Sequence, residues 1–254
     1  MSSNVINVYK KRGQTPLECI NEIKKANPEL VHLPLTYAGR LDPLAEGVLL
    51  ILVGEECLKK DDYLALDKEY ELTVLFGFET DTYDLMGKVD VGHLSPDRCP
   101  TSTEIQEILP KFTGRISQAY PPYSSRTVNG KPLFQWAREG RLDEIIIPSH
   151  EVFVGGIEII KNDFISGSDL LSKIENDIGL VKGDFRQKEI ISIWKEKLKD
   201  SSESKYQTLT LRVSCSSGVY VRSIANDLGK ELGIRALALN IKRTKVGEYI
   251  IDQA

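Results

Sequence analysis

The feature that most constrains the fold is an apolar run, GVLLILVG, at residues 47–54. It is short and bounded by glycines, which favours a buried strand over a helix. One carboxylate, Asp42, stands just before this run, between Leu41 and Pro43. An Asp before a proline is a common turn residue, because its side chain can bond the nearby backbone. A turn role and a functional role for Asp42 therefore compete at this stage.

Length and charge limit the classes of protein to consider. The chain has 254 residues, of which 41% are hydrophobic and 28% are charged, as in an ordinary soluble globular protein. A net charge of -4 counts against a generic nucleic-acid binder, although a local basic surface is compatible with it. The candidate pieces of such a surface are Lys10, Lys11 and Arg12; Arg126, Lys131, Arg138 and Arg141; and Lys242, Arg243 and Lys245.

Metal and cofactor motifs are not found in the sequence. Closely spaced Cys or His pairs, a P-loop and a G-x-G-x-x-G pattern are all missing, so neither a metal nor a nucleotide cofactor is expected. The first residues have no long apolar core, and no run reaches the roughly 18 residues of a membrane helix. We therefore expect a cytoplasmic protein with reduced thiols. The cysteines and histidines are Cys19, Cys57, Cys99 and Cys215, and His32, His93 and His150.

The periodicity of the chain predicts a mixed α/β (α+β type) fold. Thr15, Pro16 and Glu18 form a capping-box pattern that begins a helix over 16–26. We expect a single domain over 1–254, with a largely antiparallel sheet flanked by helices. Residues 162–205 differ in composition and are predicted to be a helical insertion. Further strands are expected near 69–78, 150–160, 206–215 and 238–251, and further helices near 102–109, 131–139 and 219–233.

Five longer stretches carry a family resemblance. They are YAGRLDPLAEGVLLILVGE (37–55), DKEYELTVLFGFETDTYDLMGKV (67–89), YPPYSSRTVNGKPLFQWAREG (120–140), CSSGVYVRSIANDLGKELG (215–233) and LNIKRTKVGEY (239–249). They resemble, in the same order, the motifs of the tRNA pseudouridine(55) synthase (TruB) family, such as G-x-L-D-P-L-A-x-G. The resemblance covers most of the chain outside 162–205. It implies the pseudouridine synthase fold and an isomerase acting on a uridine in the T-loop of tRNA.

The resemblance also assigns a catalytic set. Asp42 matches the catalytic aspartate, Arg222 its cationic partner, and Tyr70 the ring that stacks on the target base. A carboxylate suits the breaking of a glycosidic bond, because it can attack as a nucleophile or stabilise positive charge on the sugar. Without the resemblance, Arg222 would be interpreted as an exposed helix residue and Tyr70 as a core tyrosine. The reaction has no redox step, so no cofactor is expected.

Several residues are expected to contact RNA, and some depart from the family pattern. Tyr37 stands where the family has a histidine that occupies the space of the flipped base, and Arg40 stands where a small residue is usual. The lysine of a further motif is replaced by Thr127. Asp81 is expected to make orienting hydrogen bonds in a loop beside the site. The predicted RNA-binding residues are Tyr37, Arg40, Lys10, Arg126, Lys131 and Arg138.

Two alternatives remain open. The GRLD spelling at 39–42 also resembles the related ribosomal pseudouridine synthases, so the substrate could be ribosomal or another RNA. A non-catalytic tRNA-binding or folding factor is the second alternative, although binding alone would not need Asp42, Tyr70 and Arg222. We do not expect the C-terminal RNA-binding PUA domain that many relatives carry. We therefore expect a monomer that binds the T-arm of tRNA through its catalytic domain. No membrane association is expected.

Overall fold

The computed structural model describes residues 4–89 and 98–253. His93 lies outside the described residues. The strands are β1 (Val5–Lys10), β2 (Leu35–Ala38), β3 (Glu46–Val53), β4 (Lys68–Phe76), β5 (Gly114–Ala119), β6 (Thr127–Val128), β7 (Lys131–Pro132), β8 (Ser149–Ser166), β9 (Lys205–Cys215), β10 (Ala236–Val246) and β11 (Tyr249–Ile250). The helices are α1 (Pro16–Ala26), α2 (Lys60–Ala65), α3 (Ser102–Ile108), α4 (Leu133–Arg138), α5 (Gly167–Leu180), α6 (Gln187–Leu198) and α7 (Val221–Glu231).

Nine of the described strands form one sheet. Its main order is β1-β3-β10-β4-β9-β8-β5, with β2 added to β3 and β11 added to β10. All of these pairings are antiparallel except that of β3 with β10. The largely antiparallel α+β fold predicted from the sequence is therefore confirmed. Strands from both halves of the chain meet at the centre of the sheet, where β10 lies between β3 and β4.

The apolar run that opened the sequence forms β3 and is buried on both faces. Leu49 and Ile51 pack in a cluster with Cys19 and Ile20 of α1. The alternate residues Val48, Leu50 and Leu52 point to the other face, where they meet β1 and the end of β10. A strand covered on both faces needs a continuous apolar sequence rather than an alternating one. This burial explains the run.

Helices cover the two faces of the rest of the sheet. Leu72, Val74 and Phe76 of β4 pack on α3 and α7, while Leu75 points to the opposite face. On that face α5 and α6 form a cluster with β4, β9 and β10. Adjacent strand residues point to opposite faces, so a single strand supplies both layers. Within the described part of the chain, no helix is long and apolar enough to cross a membrane.

Most predicted elements are present with adjusted ends. Helix α1 has the predicted capping box between Thr15 and Glu18. The Asn129–Gly130 turn has positive φ at both residues, which suits a tight hairpin between β6 and β7. The helix expected over 131–139 is shorter, because Lys131 and Pro132 belong to that hairpin. Residues 162–166 extend β8, so the helical part of the 162–205 block begins at Gly167.

Candidate active site

Asp42 lies in the loop that connects β2 with β3. The neighbouring side chains of Leu41, Leu44 and Ala45 are buried and anchor this loop to the sheet edge. A turn closes it, in which the amide of Ala45 donates to the carbonyl of Asp42 at 3.0 Å. The side chain of Asp42 itself is 37% exposed. The loop thus combines the predicted turn with a carboxylate that remains accessible.

Lys10 holds this loop from beneath. It lies at the end of β1 and is wholly buried, at 0% exposure. Its Nζ donates to the carbonyls of Asp42 at 3.3 Å, Pro43 at 3.4 Å and Ala45 at 2.6 Å. Burial lowers the pKa of Lys10 to about 8, and the Arg243 cation contributes to the fall. A buried ammonium cannot reach a phosphate, so this position argues against the predicted RNA contact of Lys10.

Arg222, on the first turn of α7, faces Asp42. Its Nη1 donates to Asp42 Oδ2 at 2.8 Å, and its side chain is only 5% exposed. Its Nη2 donates to the carbonyl of Tyr123 at 3.0 Å. The structure therefore brings these two predicted residues together in a charge-assisted hydrogen bond that fixes the carboxylate. Their catalytic role stays a prediction.

A second carboxylate, which the sequence analysis did not single out, approaches the same guanidinium. Asp84 Oδ2 lies 3.7 Å from Arg222 Nη1. Burial raises the pKa of Asp84 to about 6, and the Asp42 carboxylate contributes, while Arg222 and hydrogen bonds from Thr82 and the Met86 amide oppose the rise. Two acids thus share one buried cation, and only Asp42 faces solvent to a substantial degree.

Tyr70 lies on β4 and packs on the apolar cluster that contains Leu41 and Val221, the neighbours of Asp42 and Arg222. Burial raises the pKa of its phenol, and the nearby Arg243 cation opposes the rise. Tyr70 is paired with Arg243 in the β4–β10 register. The three predicted catalytic residues therefore converge on one region, although they come from distant parts of the sequence.

Arg243 is buried rather than part of a basic surface. It is 2% exposed, and it donates through Nε to the carbonyl of Val48 at 2.8 Å and through Nη2 to that of Gly39 at 2.9 Å. Gly47 lies opposite it with φ of +109°, and a Cβ there would be 2.1 Å from the carbonyl oxygen of Arg243. Only glycine permits this approach of the two backbones. The contact fixes the ends of the Asp42 loop against β10.

Asp42 and Asp84 line a hollow with about 250 Å³ of open space, whose wall includes Leu44 and Ile241. A second hollow, with about 210 Å³, lies between Phe76 and Arg98 and is lined by none of the predicted site residues. The two hollows are similar in volume, so the carboxylates that line the first one identify it as the candidate site. Among residues 4–89 and 98–253, no three His, Cys, Asp or Glu side chains are grouped so that they could hold a metal ion.

Asp81 lies at the edge of this site and makes hydrogen bonds of the kind expected of it. Its Oδ1 accepts from the amide of Lys88 at 2.8 Å, and its Oδ2 accepts from the hydroxyl of Tyr123 at 2.9 Å. Arg186, from the segment between α5 and α6, forms an ion pair with Asp81 at 2.8 Å. Tyr123 and Arg186 were not singled out from the sequence, because only the tertiary structure brings them to Asp81.

The predicted RNA-binding residues on β2 and its loop differ in exposure. Tyr37 is partly buried and packs on the cluster of Ile20, Leu49 and Ile51, with the ammonium of Lys60 5.4 Å from its ring centroid. This cluster differs from the one that holds Tyr70. Arg40 is exposed. Of the two departures from the family pattern in this segment, Arg40 is therefore the more accessible to RNA.

The other predicted RNA-binding residues surround the β6–β7 hairpin. Arg126 is exposed and stacks over Tyr120 at 5.1 Å. Lys131 lies 3.6 Å from the centroid of the Trp136 ring and pairs with Glu139 at 2.6 Å. Arg138 is exposed and donates to the carbonyl of Asp184 at 3.2 Å. These cations form a surface separate from the buried Lys10, Arg222 and Arg243.

Comparisons with known proteins identify a family that this chain resembles. Residues 34–175 match the model of the TruB family of pseudouridylate synthases, N-terminal domain. A tRNA pseudouridine synthase B of Chlamydia muridarum is 30% identical over 98% of this chain and 83% of the relative. A tRNA pseudouridine synthase 4 of Schizosaccharomyces pombe is 28% identical over 99% of this chain and 80% of the relative.

A solved structure shows the same fold. The crystal structure of a Cbf5-Nop10-Gar1 complex matches 97% of this chain with a TM-score of 0.59 and 19% identity. This chain spans 49% of the length of that matched chain. At this identity the likeness concerns the fold alone.

Proposed function

The chain belongs to the TruB family of pseudouridylate synthases, and we propose that it isomerises a uridine in the T-loop of tRNA, at position 55, to pseudouridine. The observation that carries the proposal is the accessible Asp42 carboxylate held by the buried Arg222 at 2.8 Å. The relatives named above are tRNA pseudouridine synthases, which favours tRNA as the substrate. The proposal extends to action as a monomer in the cytoplasm, with which the four free thiols agree.

The reaction breaks the N1–C1′ bond of uridine, turns the base, joins C5 to C1′ and releases the proton of C5. Atoms and electrons balance within the nucleotide, so the protein has to supply an anion, a position for the base and a proton acceptor. In our proposal Asp42 supplies the anion, and Arg222 pairs with its charge and orients it. Tyr70 stacks on the base, and its hydroxyl takes part in removing the proton of C5.

The target uridine has to leave its stack before it reaches Asp42. We propose that the exposed cations Arg40, Arg126 and Arg138 bind the phosphates on either side of it. Arg40 is the nearest of these cations to Asp42 in the chain. We therefore expect it to contact the nucleotides next to the target uridine. Lys131 is already paired with Glu139 and should contribute less.

The test is chemical mapping of pseudouridine after incubation with a T-arm RNA and, separately, with total RNA. Wild type should convert the T-loop uridine, with D42N lowering the rate about 10³-fold or more, as expected when a group acting directly on the reacting atoms is removed. The exposed Asp61 on α2 offers a matched acid-to-amide control, D61N, which should keep the wild-type rate. Equal amounts of pseudouridine from wild type and D42N would contradict the proposal. Modification of ribosomal RNA alone would show that the substrate is ribosomal RNA and not tRNA.

A further inference from the structure

The helical hairpin, defined as α5, α6 and the linker 181–186 between them, contacts the candidate active site. Its side chains Ile174 and Trp194 are fully buried and share a cluster with Leu44 and Leu85. Leu44 follows Asp42 by two positions, and Leu85 follows Asp84 directly. The hairpin therefore packs against the two loops that carry the carboxylates of the site.

One linker residue, Arg186, reaches into this region with its charge. Its Nη1 donates to Asp81 Oδ2 at 2.8 Å, and its guanidinium lies 4.7 Å from the centroid of the Tyr123 ring. The Arg186 side chain is 21% exposed, so the pair is partly removed from solvent. Exposed ion pairs contribute little, but a desolvated cation over an aromatic ring contributes more. Arg186 thus fixes both Asp81 and the ring that Asp81 binds.

The contacts continue from Tyr123 to the catalytic pair. The backbone carbonyl of Tyr123 accepts from Arg222 Nη2 at 3.0 Å, and Arg222 Nη1 binds Asp42. Asp81 in turn closes the loop around Asp84, because its Oδ1 accepts from the amide of Lys88. Loss of the Arg186 contact would therefore free the segment around Tyr123. The carbonyl of Tyr123 is one of the two acceptors that bind the Arg222 guanidinium.

The backbone of the linker is built around this contact. Arg186 has φ of +65°, a left-handed conformation that costs about 1 kcal/mol or more for a residue with a side chain. It occupies the N-cap of α6 without a side-chain capping bond, where Ser, Asp or Asn would serve the helix better. Gln187 holds the linker by donating to the carbonyls of Val181 at 3.0 Å and Gly183 at 2.7 Å. The left-handed conformation of Arg186 is unfavourable both for this residue and for the start of α6. We attribute its presence to the contact that it allows between the Arg186 side chain and Asp81.

A second attachment joins the hairpin to the Asp42 loop. Asp177 of α5 pairs with Arg12 at 2.7 Å, and Arg12 also pairs with Glu46 at 3.1 Å. The adjacent Gly13 donates its amide to the carbonyl of Pro43 at 2.9 Å. The hairpin therefore braces the site on two sides, and the Arg186 side leads through Asp81 and Tyr123 to Arg222.

We propose that Arg186 is a positioning residue for the isomerisation, which it supports by fixing Asp81 and Tyr123 and, through the Tyr123 carbonyl, Arg222. This inference rests on the proposed function. In it, the helical hairpin is part of the catalytic apparatus, and its side chains need not touch RNA. A substitution of Arg186 should then lower the chemical step and leave RNA affinity and overall stability nearly unchanged.

The experiment compares wild type, R186Q, R186K, D81N and R186Q/D81N, with K182Q as the matched control. Lys182 lies on the same linker, but its ion pair is with Glu18 of α1, away from the catalytic residues. Single-turnover rates at saturating T-arm RNA, RNA dissociation constants and amide hydrogen exchange are measured for each variant. We expect R186Q to lower the rate about 10- to 100-fold with RNA affinity within about threefold, which is the signature of a lost transition-state arrangement.

Further expectations concern the partners. R186K should recover part of the rate, and R186Q/D81N should be no slower than the slower single variant, because the two residues act as one unit. Amide exchange in R186Q should rise over 80–89 and 120–126, and K182Q should match wild type. An R186Q rate equal to wild type at saturating RNA, with only affinity lost, would overturn the inference and make Arg186 an RNA contact.

The two proposals fail in different ways. A wild-type protein that modifies no uridine in any RNA removes the proposed function, whatever the variants do. Hydrogen exchange needs no RNA, so unchanged exchange over 80–89 and 120–126 in R186Q overturns the positioning role on its own. A raised exchange confined to the linker would also overturn it, because the contact would then not reach Tyr123.

Discussion

Two groups of cations in this protein differ in what they bind. Lys10, Arg222 and Arg243 are buried and donate mainly to backbone carbonyls, and Arg222 also binds Asp42. Arg126 and Arg138 are exposed, the first just before the β6–β7 hairpin and the second at the end of α4 after it. The first group sets the geometry of the loop around the catalytic acid, while the second group is available to an anionic partner. Residue type alone does not separate them, because burial decides the role.

Two further cations beside this hairpin, Lys131 and Arg141, are partly neutralised by acids. Glu139 accepts ion pairs from Lys131 at 2.6 Å and from Arg141 at 3.1 Å, and Arg141 binds Glu144 as well. An incoming phosphate has to displace these carboxylates, so Lys131 and Arg141 should contribute modestly to affinity. The buried cations are held by hydrogen bonds away from solvent, so their substitution should have large effects. The following substitutions test this difference.

The largest effect is expected for R222Q. It removes the cation between Asp42 and Asp84 and leaves two carboxylates facing one another, so the catalytic rate should fall about 10³-fold. Single-turnover conversion of T-arm RNA measures the rate. The matched control is R212Q, because Arg212 is exposed on β9 and pairs with Glu158 on the surface. A comparable loss in R212Q would show that the effect has no connection with burial.

K10M should mainly destabilise the fold. The substitution leaves the carbonyls of Asp42, Pro43 and Ala45 without their buried donor, and we expect the free energy of unfolding to fall by about 2 to 4 kcal/mol. Urea denaturation of K10M and of the exposed neighbour variant K11M provides the measurement. If both variants unfold at the same urea concentration, the buried ammonium does not hold the loop.

D84N tests the buried acid through pH. The raised pKa means that the folded state favours protonated Asp84, so its contribution to stability is complete below about pH 4 and is lost as the pH rises through about 6. Wild type should therefore lose about 2 kcal/mol relative to D84N over this window. Urea denaturation at a series of pH values measures the difference. D61N, which changes an exposed acid, should run parallel to wild type, and a parallel D84N curve would contradict the assignment.

The smallest effects are expected for R126Q and R138Q. Each should weaken T-arm binding about threefold and reduce the slope of log affinity against log salt by about one, because each removes one phosphate contact. The catalytic rate at saturating RNA should not change. K25Q, on the exposed side of α1, serves as the control. If R126Q or R138Q lowered the catalytic rate as much as R222Q does, the distinction between the buried and the exposed cations would be wrong.

The local signals in the sequence were sufficient for much of the fold. The capping box at Thr15 and Glu18, the apolar run of β3 and the helical spacing of Val221, Ile224 and Leu228 each depend on neighbouring residues alone. The short strands β1, β2 and β5 were not predicted, because they are stabilised by pairing with β3 and β8 rather than by a strong pattern of their own.

The site was predictable where a motif identified it and less so elsewhere. Asp42 and Arg222 were placed together from the resemblance, although 180 residues separate them. The burial of Lys10 was not foreseen, because its carbonyl partners gather only when the Asp42 loop closes. Asp81 was singled out in the sequence and Asp84 was not, although Asp84 is the one of the two that comes within 4 Å of Arg222. Which acid of one loop turns inward depends on α7, which lies far along the chain.

The pairing of Arg243 with the carbonyls of Val48 and Gly39 has a consequence for biosynthesis. These bonds span 195 and 204 residues, and β10 fills the place between β3 and β4 at the centre of the sheet. During synthesis on the ribosome, Asp42 emerges long before Arg243. Until Arg243 emerges, the Asp42 loop lacks the hydrogen bonds from Arg243 to the carbonyls of Gly39 and Val48. We therefore expect the catalytic loop to be among the last parts to become ordered, so that an unfinished chain does not engage RNA with a competent site.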